Sequence, residues 1–268
     1  MPPRHGKSEC ISKKFPAWYL GKNPGNEIIL SSYSGDLAQD FSRIARNTFR
    51  DGSGVYWDAS LSLDTKAVDR WGIAGTRGGL VAAGVGGTIT GRGANLAIID
   101  DPVKNAEEAN SETVREHVKE WYRSTLRTRL APGGAIVVVM TRWHDDDLAG
   151  WLLSEANTGG EQWEVISLPA LAEENDVLGR EIGEPLWPER YPIEELDNLR
   201  GSLGTYLWSA LYQQRPQPAE GAKFKRGWIR RYEDYGEYWI LDRLDAPRER
   251  VLKTNCSIFQ TVDPAATE

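Results

Sequence analysis

Gly6-Lys7-Ser8 opens the chain, and much further along residues 96–99 (LAII) run straight into Asp100-Asp101. A Gly-Lys-Ser turn at a helix start and an apolar strand ending in carboxylates constrain the fold together. The two come together only where a loop and a strand tip meet at the carboxyl edge of an α/β sheet. Backbone N–H groups at a helix N-terminus favour anionic oxygens. In this pattern Gly6 lets the backbone come close, Lys7 sets its ammonium on outer phosphates, and the Ser8 hydroxyl binds the magnesium that bridges them. The full phosphate-loop pattern is G-x-x-x-x-G-K-[ST], and Met1 stands where its first glycine would be. Without the second feature, Gly-Lys-Ser is a short match that arises by chance.

The strand supplies that second feature. Its form is that of a Walker B segment, in which Asp100 holds the magnesium and Asp101 orients or deprotonates the attacking water. Asp101 stands where most such ATPases carry Glu, so it reaches about one methylene less. The alternative is a plain strand followed by an Asp-Pro turn; Gly6-Lys7-Ser8 tips the balance toward the nucleotide reading.

Composition excludes several classes. The longest apolar run, residues 135–140, is far too short to span a bilayer, and no charged-then-apolar leader opens the chain, so an intracellular protein is expected. Cys10 and Cys256 lie far apart with no C-x-x-C, which indicates neither a disulfide framework nor a zinc site. A net charge of −7 argues against indiscriminate coating of nucleic acid. Two local basic places remain. Lys223, Lys225, Arg226, Arg230 and Arg231 surround Trp228, and Arg123, Arg127 and Arg129 follow Trp121-Tyr122. Each reads equally as a DNA contact and as a solvated or acid-paired face. The 11 tryptophans are expected mainly in packing.

Along the chain, residues 27–34 (EIILSSYS) read as a strand and residues 36–49 as an amphipathic helix, one βα unit. The glycine-rich stretch 72–93 suggests short strands and a tight loop leading into the carboxylate-tipped strand. Its Gly84-x-Gly86 does not extend to G-x-G-x-x-G, so a dinucleotide fold is rejected. Residues 111–130 predict a capped helix, 135–140 (AIVVVM) a buried strand, 145–153 a helix and 163–169 (WEVISLP) a further strand. Continuous apolar strands alternating with helices predict a parallel sheet covered on both faces. Beyond residue 170 the texture turns to proline, charge and aromatics, with helices expected at 193–200 and 205–214. Pro216-Gln217-Pro218 reads as a linker start.

Assembled, these residues resemble the large terminase subunit of tailed bacteriophages, the ATPase and nuclease that packages viral DNA. The matching segments are PPRHGKSE, GVGGTITGRGANLAIIDDP, VVVMTRWHDDDLAGWL, the LYQQRP and FKRGWIRRY region, and IFQTVDPA, in the family's order and over nearly the whole chain. The resemblance implies an α/β P-loop NTPase-type (ASCE-like) domain over residues 1–215, a linker or subdomain over 216–255, and over 256–268 the first strand of an RNase H-like nuclease domain. It implies ATP and Mg2+ for the ATPase, bound by Arg4, His5, Gly6, Lys7 and Ser8, with Ser8 and Asp100 on the metal.

It further implies that Asp101 is catalytic, that Arg92 is an arginine finger, and that Thr141 is the coupling residue that senses hydrolysis beside the γ-phosphate. Arg92 reads otherwise as a turn arginine in solvent. Arg142 and His144 either relay that change or cap the following helix and pair with residues 145–147. Asp263 would bind the divalent metal pair (Mg2+ or Mn2+) of the nuclease, whose remaining ligands would lie beyond Glu268.

The implied partners are double-stranded DNA, the portal protein and the small terminase subunit, with a homo-oligomeric ring on the procapsid, no membrane, and the bacterial host cytoplasm as the location. A phosphate loop needs a strand before it, so a natural protein that starts upstream of Met1 is expected. Two rival readings stand beside this one: another DNA-stimulated P-loop motor of helicase type, and an inert truncated prophage remnant.

Overall fold

The computed structural model describes residues 1–87, 89, 93–217, 232–241 and 248–256. A helical segment runs from the amino-terminal loop, first as a wide turn over Glu9–Lys14 and then as α1 (Phe15–Lys22). Then come β1 (Glu27–Ser32), α2 (Gly35–Gly52), β2 (Leu61–Lys66), β3 (Arg70–Ile73), β4 (Gly79–Gly84) and β5 (Ala94–Asp100). The chain continues through α3 (Ala106–Asn110), α4 (Glu112–Trp121), β6 (Leu130–Val139), α5 (Leu148–Asn157) and α6 (Ile193–Leu207).

One six-stranded sheet has the order β2-β3-β4-β1-β5-β6. β4, β1, β5 and β6 are parallel neighbours, and β3 and β2 are added antiparallel at the far end. Alternation along the inner strands builds two cores. Ile28, Leu30, Leu96 and Ile98 pack with α1 and α2 residues such as Leu20, Phe41 and Phe49 on one face. Ile29, Ala97 and Ile99 pack with Val118, Trp121, Leu126 and Leu152 on the other. Side chains two apart share a face, so a continuous apolar strand feeds both layers. This is the mostly parallel, helix-covered sheet that the alternating pattern predicts.

Several local readings need correction. Residues 111–130 do not form one helix: α4 ends at Trp121, and a wide turn (Tyr122–Leu126) and a tight one (Arg127–Arg129) complete the path to β6. The cap is as expected, with the Ser111 hydroxyl accepting from Val114 N–H. The helix expected at 145 begins at Leu148 because the buried Asp147 carboxylate caps it through Gly150 N–H at 3.0 Å. β6 starts before the Gly133-Gly134 turn and absorbs it as an irregularity, since Ala94 pairs with Leu130 and Leu96 with Ala135. The two helices expected at 193–200 and 205–214 are found, separated at Gly204, whose φ of 73° lies in the left-handed region.

Residues 163–169 form no strand at all. Their composition is right for one, but residues 161–168 make no backbone–backbone hydrogen bond among the described residues. A strand exists only as a paired object, and the edge of β6 facing this segment is unpaired.

The chain divides into two compact units, Met1–Pro218 and Ala219–Glu268. In the second, β7 (Tyr232–Asp234), β8 (Tyr238–Leu241) and β9 (Glu249–Leu252) form an antiparallel meander. Arg250 lies over the Tyr238 ring at 3.6 Å, and Lys253 pairs with Asp234 at 2.7 Å.

β5 pairs with a strand on each side and is buried on both faces, so it tolerates loss of volume poorly. Ile98→Ala, at a fully buried position, is expected to destabilise the protein by about 2–5 kcal/mol. Denaturant unfolding measures it, and a loss under about 0.5 kcal/mol, the range of exposed sites, would contradict the two-core packing.

Candidate functional site

The carboxyl ends of β1, β5 and β6 meet the amino-terminal loop. Ser32 lies level with Asp100, and Asp100 with Val139, across the parallel pairs. The loop reaches them through two left-handed residues, Arg4 (φ 57°) and Gly6 (φ 93°), before Cys10 N–H bonds the Gly6 carbonyl at 3.0 Å and starts the helix. A Cβ added to Gly6 would meet nothing closer than the Trp187 ring, at 4.0 Å. Glycine is required there by backbone conformation rather than by space.

Two contacts join loop to strand tip. Lys7 Nζ pairs with Asp101 Oδ2 at 2.8 Å, and Ser8 Oγ donates to Asp100 Oδ1 at 3.0 Å. The Ser12 hydroxyl, fully buried, donates to the other Asp100 oxygen. Ser12 was not singled out from sequence. Its signal was available: it lies one helical turn past Ser8, on the same face.

Asp100 is itself fully buried. Burial pushes its carboxyl above the usual range, and the neighbouring Asp101 adds to that, while the Ser12 and Ser8 hydroxyls and Lys7 act in the opposite sense. Asp101 adopts a left-handed backbone (φ 43°). Its N–H donates to the Val139 carbonyl at 2.8 Å, its carbonyl accepts from Tyr33 N–H at 3.1 Å, and its Oδ1 accepts from Thr141 N–H at 2.8 Å. One residue thus ties β1, β6 and the loop. Thr141 is buried directly after β6.

His5 is buried behind the loop. Its Nδ1 bonds the Pro3 carbonyl at 2.8 Å, and its ring stacks on Tyr191 at 4.3 Å with Tyr212 edge-on. Burial, the dominant cause, lowers its pKa, although the Pro3 bond opposes it, so the ring is neutral and packs. Tyr191 and Tyr212 come from the segment after residue 170, whose textural change gave no sign that it closes over the loop. Arg4 is exposed.

Arg142 Nε pairs with Asp147 at 2.8 Å, and Asp146 N–H donates to His144 Nδ1 at 3.0 Å. Both therefore serve the turn into α5. Of the basic place after Trp121-Tyr122, Arg123 lies over the Trp151 ring at 4.4 Å, Arg127 pairs with Glu161, and Arg129 Nε is buried without a hydrogen-bond partner among the described residues. Arg92, Asp263 and the basic residues around Trp228 lie outside the described residues.

The donor set suits a hard divalent cation. A desolvated carboxylate and a hydroxyl, both oxygen donors, converge at Ser8 and Asp100. Groups of three or more His, Cys, Asp or Glu that could hold a metal alone are absent among the described residues. The hydroxyls of Ser31 and Ser32 are buried without a hydrogen-bond partner at the same strand tip, two further polar groups that sequence reading missed.

Fold and site together define an α/β protein with a candidate anion-and-cation site at the carboxyl edge of its parallel strands. Residues 1–231 match the family described as Terminase large subunit, T4likevirus-type, N-terminal. The chain belongs to that family of large terminase subunits, which supports a role in phage DNA packaging. Comparison with the curated proteins finds no match. Among the described residues no helix is long and apolar enough to cross a membrane.

The raised Asp100 pKa gives a signed prediction. A carboxyl whose pKa is raised by folding favours the folded state at acid pH and loses that contribution as pH rises through the raised value. At neutral pH the raised pKa makes the Asp100 carboxyl a net cost to folding. Asp100→Asn is expected to raise Tm there by about 2–4 °C per kcal/mol recovered, with the gain fading toward acid pH. A variant that melts lower than the parent at pH 7 would count against the assignment.

Proposed function

We propose that residues 1–215 form the ATP-hydrolysing motor domain of a DNA-packaging terminase. The observation that carries this is the double contact between loop and strand tip: Lys7 with Asp101, and Ser8 with Asp100. Two unrelated segments supply an ammonium, a hydroxyl and two carboxylates at the place where open α/β sheets bind ligands.

In this reading Arg4, His5, Gly6, Lys7 and Ser8 form the phosphate loop. Backbone N–H groups of the loop and Lys7 bind the outer phosphates of ATP, and His5 holds the loop's shape from behind. Ser8 and Asp100 hold Mg2+, which supplies charge neutralisation on the phosphates. Ser12 keeps Asp100 oriented.

The ligand-free contacts suggest how Asp101 is used. An incoming γ-phosphate competes for Lys7 and draws it off Asp101. The freed carboxylate then orients water and accepts its proton as the water oxygen bonds to the γ-phosphorus and the bond to the ADP oxygen breaks. Asp101 also holds Thr141 N–H, so a change at the phosphate reaches the start of the segment after β6. That is the basis for treating Thr141 as the coupling residue. Arg92 is assigned as the arginine finger, by the family resemblance.

The motor would translocate double-stranded DNA as a homo-oligomeric ring on the procapsid in the host cytoplasm, with the portal protein and small terminase subunit as partners. Asp263 would open the nuclease domain and its Mg2+ or Mn2+ pair.

Lys7→Ala is expected to cut magnesium-dependent ATP hydrolysis by about a hundredfold or more, and Asp101→Asn to cut turnover while sparing ATP binding. Hydrolysis that survives Lys7→Ala would refute the motor.

A further inference from the structure

Residues 170–186 form a closed loop. Its neck is held by Ala172 N–H on the Glu184 carbonyl at 2.9 Å, Gly183 N–H on the Ala172 carbonyl at 2.8 Å and Leu186 N–H on the Ala170 carbonyl at 2.8 Å. Inside the loop, Arg180 donates to the Asp176 carboxylate through Nε at 3.2 Å and Nη2 at 2.7 Å. The same guanidinium donates to the carbonyls of Pro169 and Glu184, each at 3.1 Å. Asp176 Oδ1 also accepts from the N–H groups of Leu178 and Arg180. A two-pronged guanidinium–carboxylate contact is directional, so this network sets the loop's shape before any partner arrives.

The residues this rigid loop presents to solvent are apolar. Val177, Leu178 and Ile182 are 61%, 59% and 74% exposed. Single exposed aliphatics are ordinary, but three on one loop, held out by its own buried-in polar network, mark a contact surface. Two carboxylates frame them. Glu174 and Glu181 are exposed, and neither forms an ion pair among the described residues. The tip is thus apolar with an acidic rim.

A second surface of the same unit has the complementary character. Trp18 of α1 is 53% exposed. Lys14 and Lys22 stand four residues before and after it, which puts both ammoniums on the helix face that carries the indole. Both lysines are exposed, and neither pairs with a carboxylate among the described residues; Lys14 donates to the Thr48 hydroxyl at 3.3 Å. The Trp57 ring is pressed between Gly21 and Gly52, where an added Cβ would come within 2.4 Å of it. That packing brings Val55 and Tyr56, both more than half exposed, up to α1. This patch is apolar with a basic rim.

We propose that the loop tip of one copy docks on the α1 face of a second copy of this chain. Val177, Leu178 and Ile182 cover Trp18, and Glu174 and Glu181 meet Lys14 and Lys22. The charges orient the encounter and exclude the reversed arrangement, while the apolar contact supplies most of the affinity. The two surfaces differ, so each paired copy still offers one of each, and successive contacts close into a ring or continue as a filament. The contact deepens the ring reading above and rests on that reading for closure alone; the association itself uses no nucleotide. A tip of three aliphatic side chains is small beside a standard interface, so a pair of free copies binds weakly.

The test is sedimentation of the full chain, without nucleotide, over a rising concentration series, with Leu178→Asp on the tip and Trp18→Glu on α1 as single variants. Both positions are more than half exposed, so both variants are expected to keep the parent Tm. The expected result is association of the parent that weakens with salt and drops about tenfold or more in either variant. An equimolar mixture of the two variants is expected to recover a dimer that grows no further, because one copy supplies the intact tip and the other the intact α1 face. A parent that stays monomeric throughout would overturn the proposal and leave the tip to a different protein. Association unchanged in either variant, or two variants that fail to dimerise together, would overturn the pairing of tip with α1. Lys7→Ala is expected to associate like the parent, so failure of the hydrolysis reading and failure of this contact are read separately.

Discussion

The buried carboxylate of Asp100 is the constraint on which the site depends. Nothing in an apolar sheet favours an ionised group at a strand tip, and the two hydroxyls of Ser8 and Ser12 offset only part of its desolvation. Those hydroxyls come from the helical segment that follows the loop, so satisfying Asp100 also determines where that helix starts and how the loop lies. The fold thus carries a local electrostatic debt that a cation at the same oxygens would cancel.

Asp101 has a different task. It links three pieces of backbone, Tyr33 just after β1, Val139 at the end of β6 and Thr141 two residues beyond, and offers its remaining oxygen to Lys7. The loop and the strand tips are thus joined by that ion pair as well as by Ser8 and Ser12 on Asp100. A ligand that takes Lys7 leaves the backbone links intact and frees only the side chain. This is a small, directed change rather than a loosening of the whole edge.

The parallel sheet and the meeting of Gly6-Lys7-Ser8 with Asp100-Asp101 were legible in the sequence. Both follow from short-range patterns whose physical meaning does not depend on the rest of the chain. Apolar runs at residues 27–34 and 135–140 name buried strands, and a helix start with an ammonium names an anion site. What was not legible depended on partners. Residues 163–169 have a strand's composition, but pairing is decided by what lies alongside. The roles of Tyr191 and Tyr212 behind His5 come from chain segments nearly the whole domain away. Ser12 stands one helical turn past Ser8, but that spacing gains its meaning only once Asp100 is seen beside both hydroxyls. The antiparallel pairing of β2 and β3, which begin ahead of the glycine-rich stretch, was likewise not foreseen.

The left-handed backbone at Asp101 bears on the residue found there. Outside glycine, that region of conformational space is best tolerated by Asn and Asp, whose short polar side chains interact with their own main chain. A longer acid would fit this bend less well. The shorter reach of the aspartate and the sharp turn of the strand tip belong together: the chain brings the carboxylate inward by rotating its backbone instead of by adding a carbon.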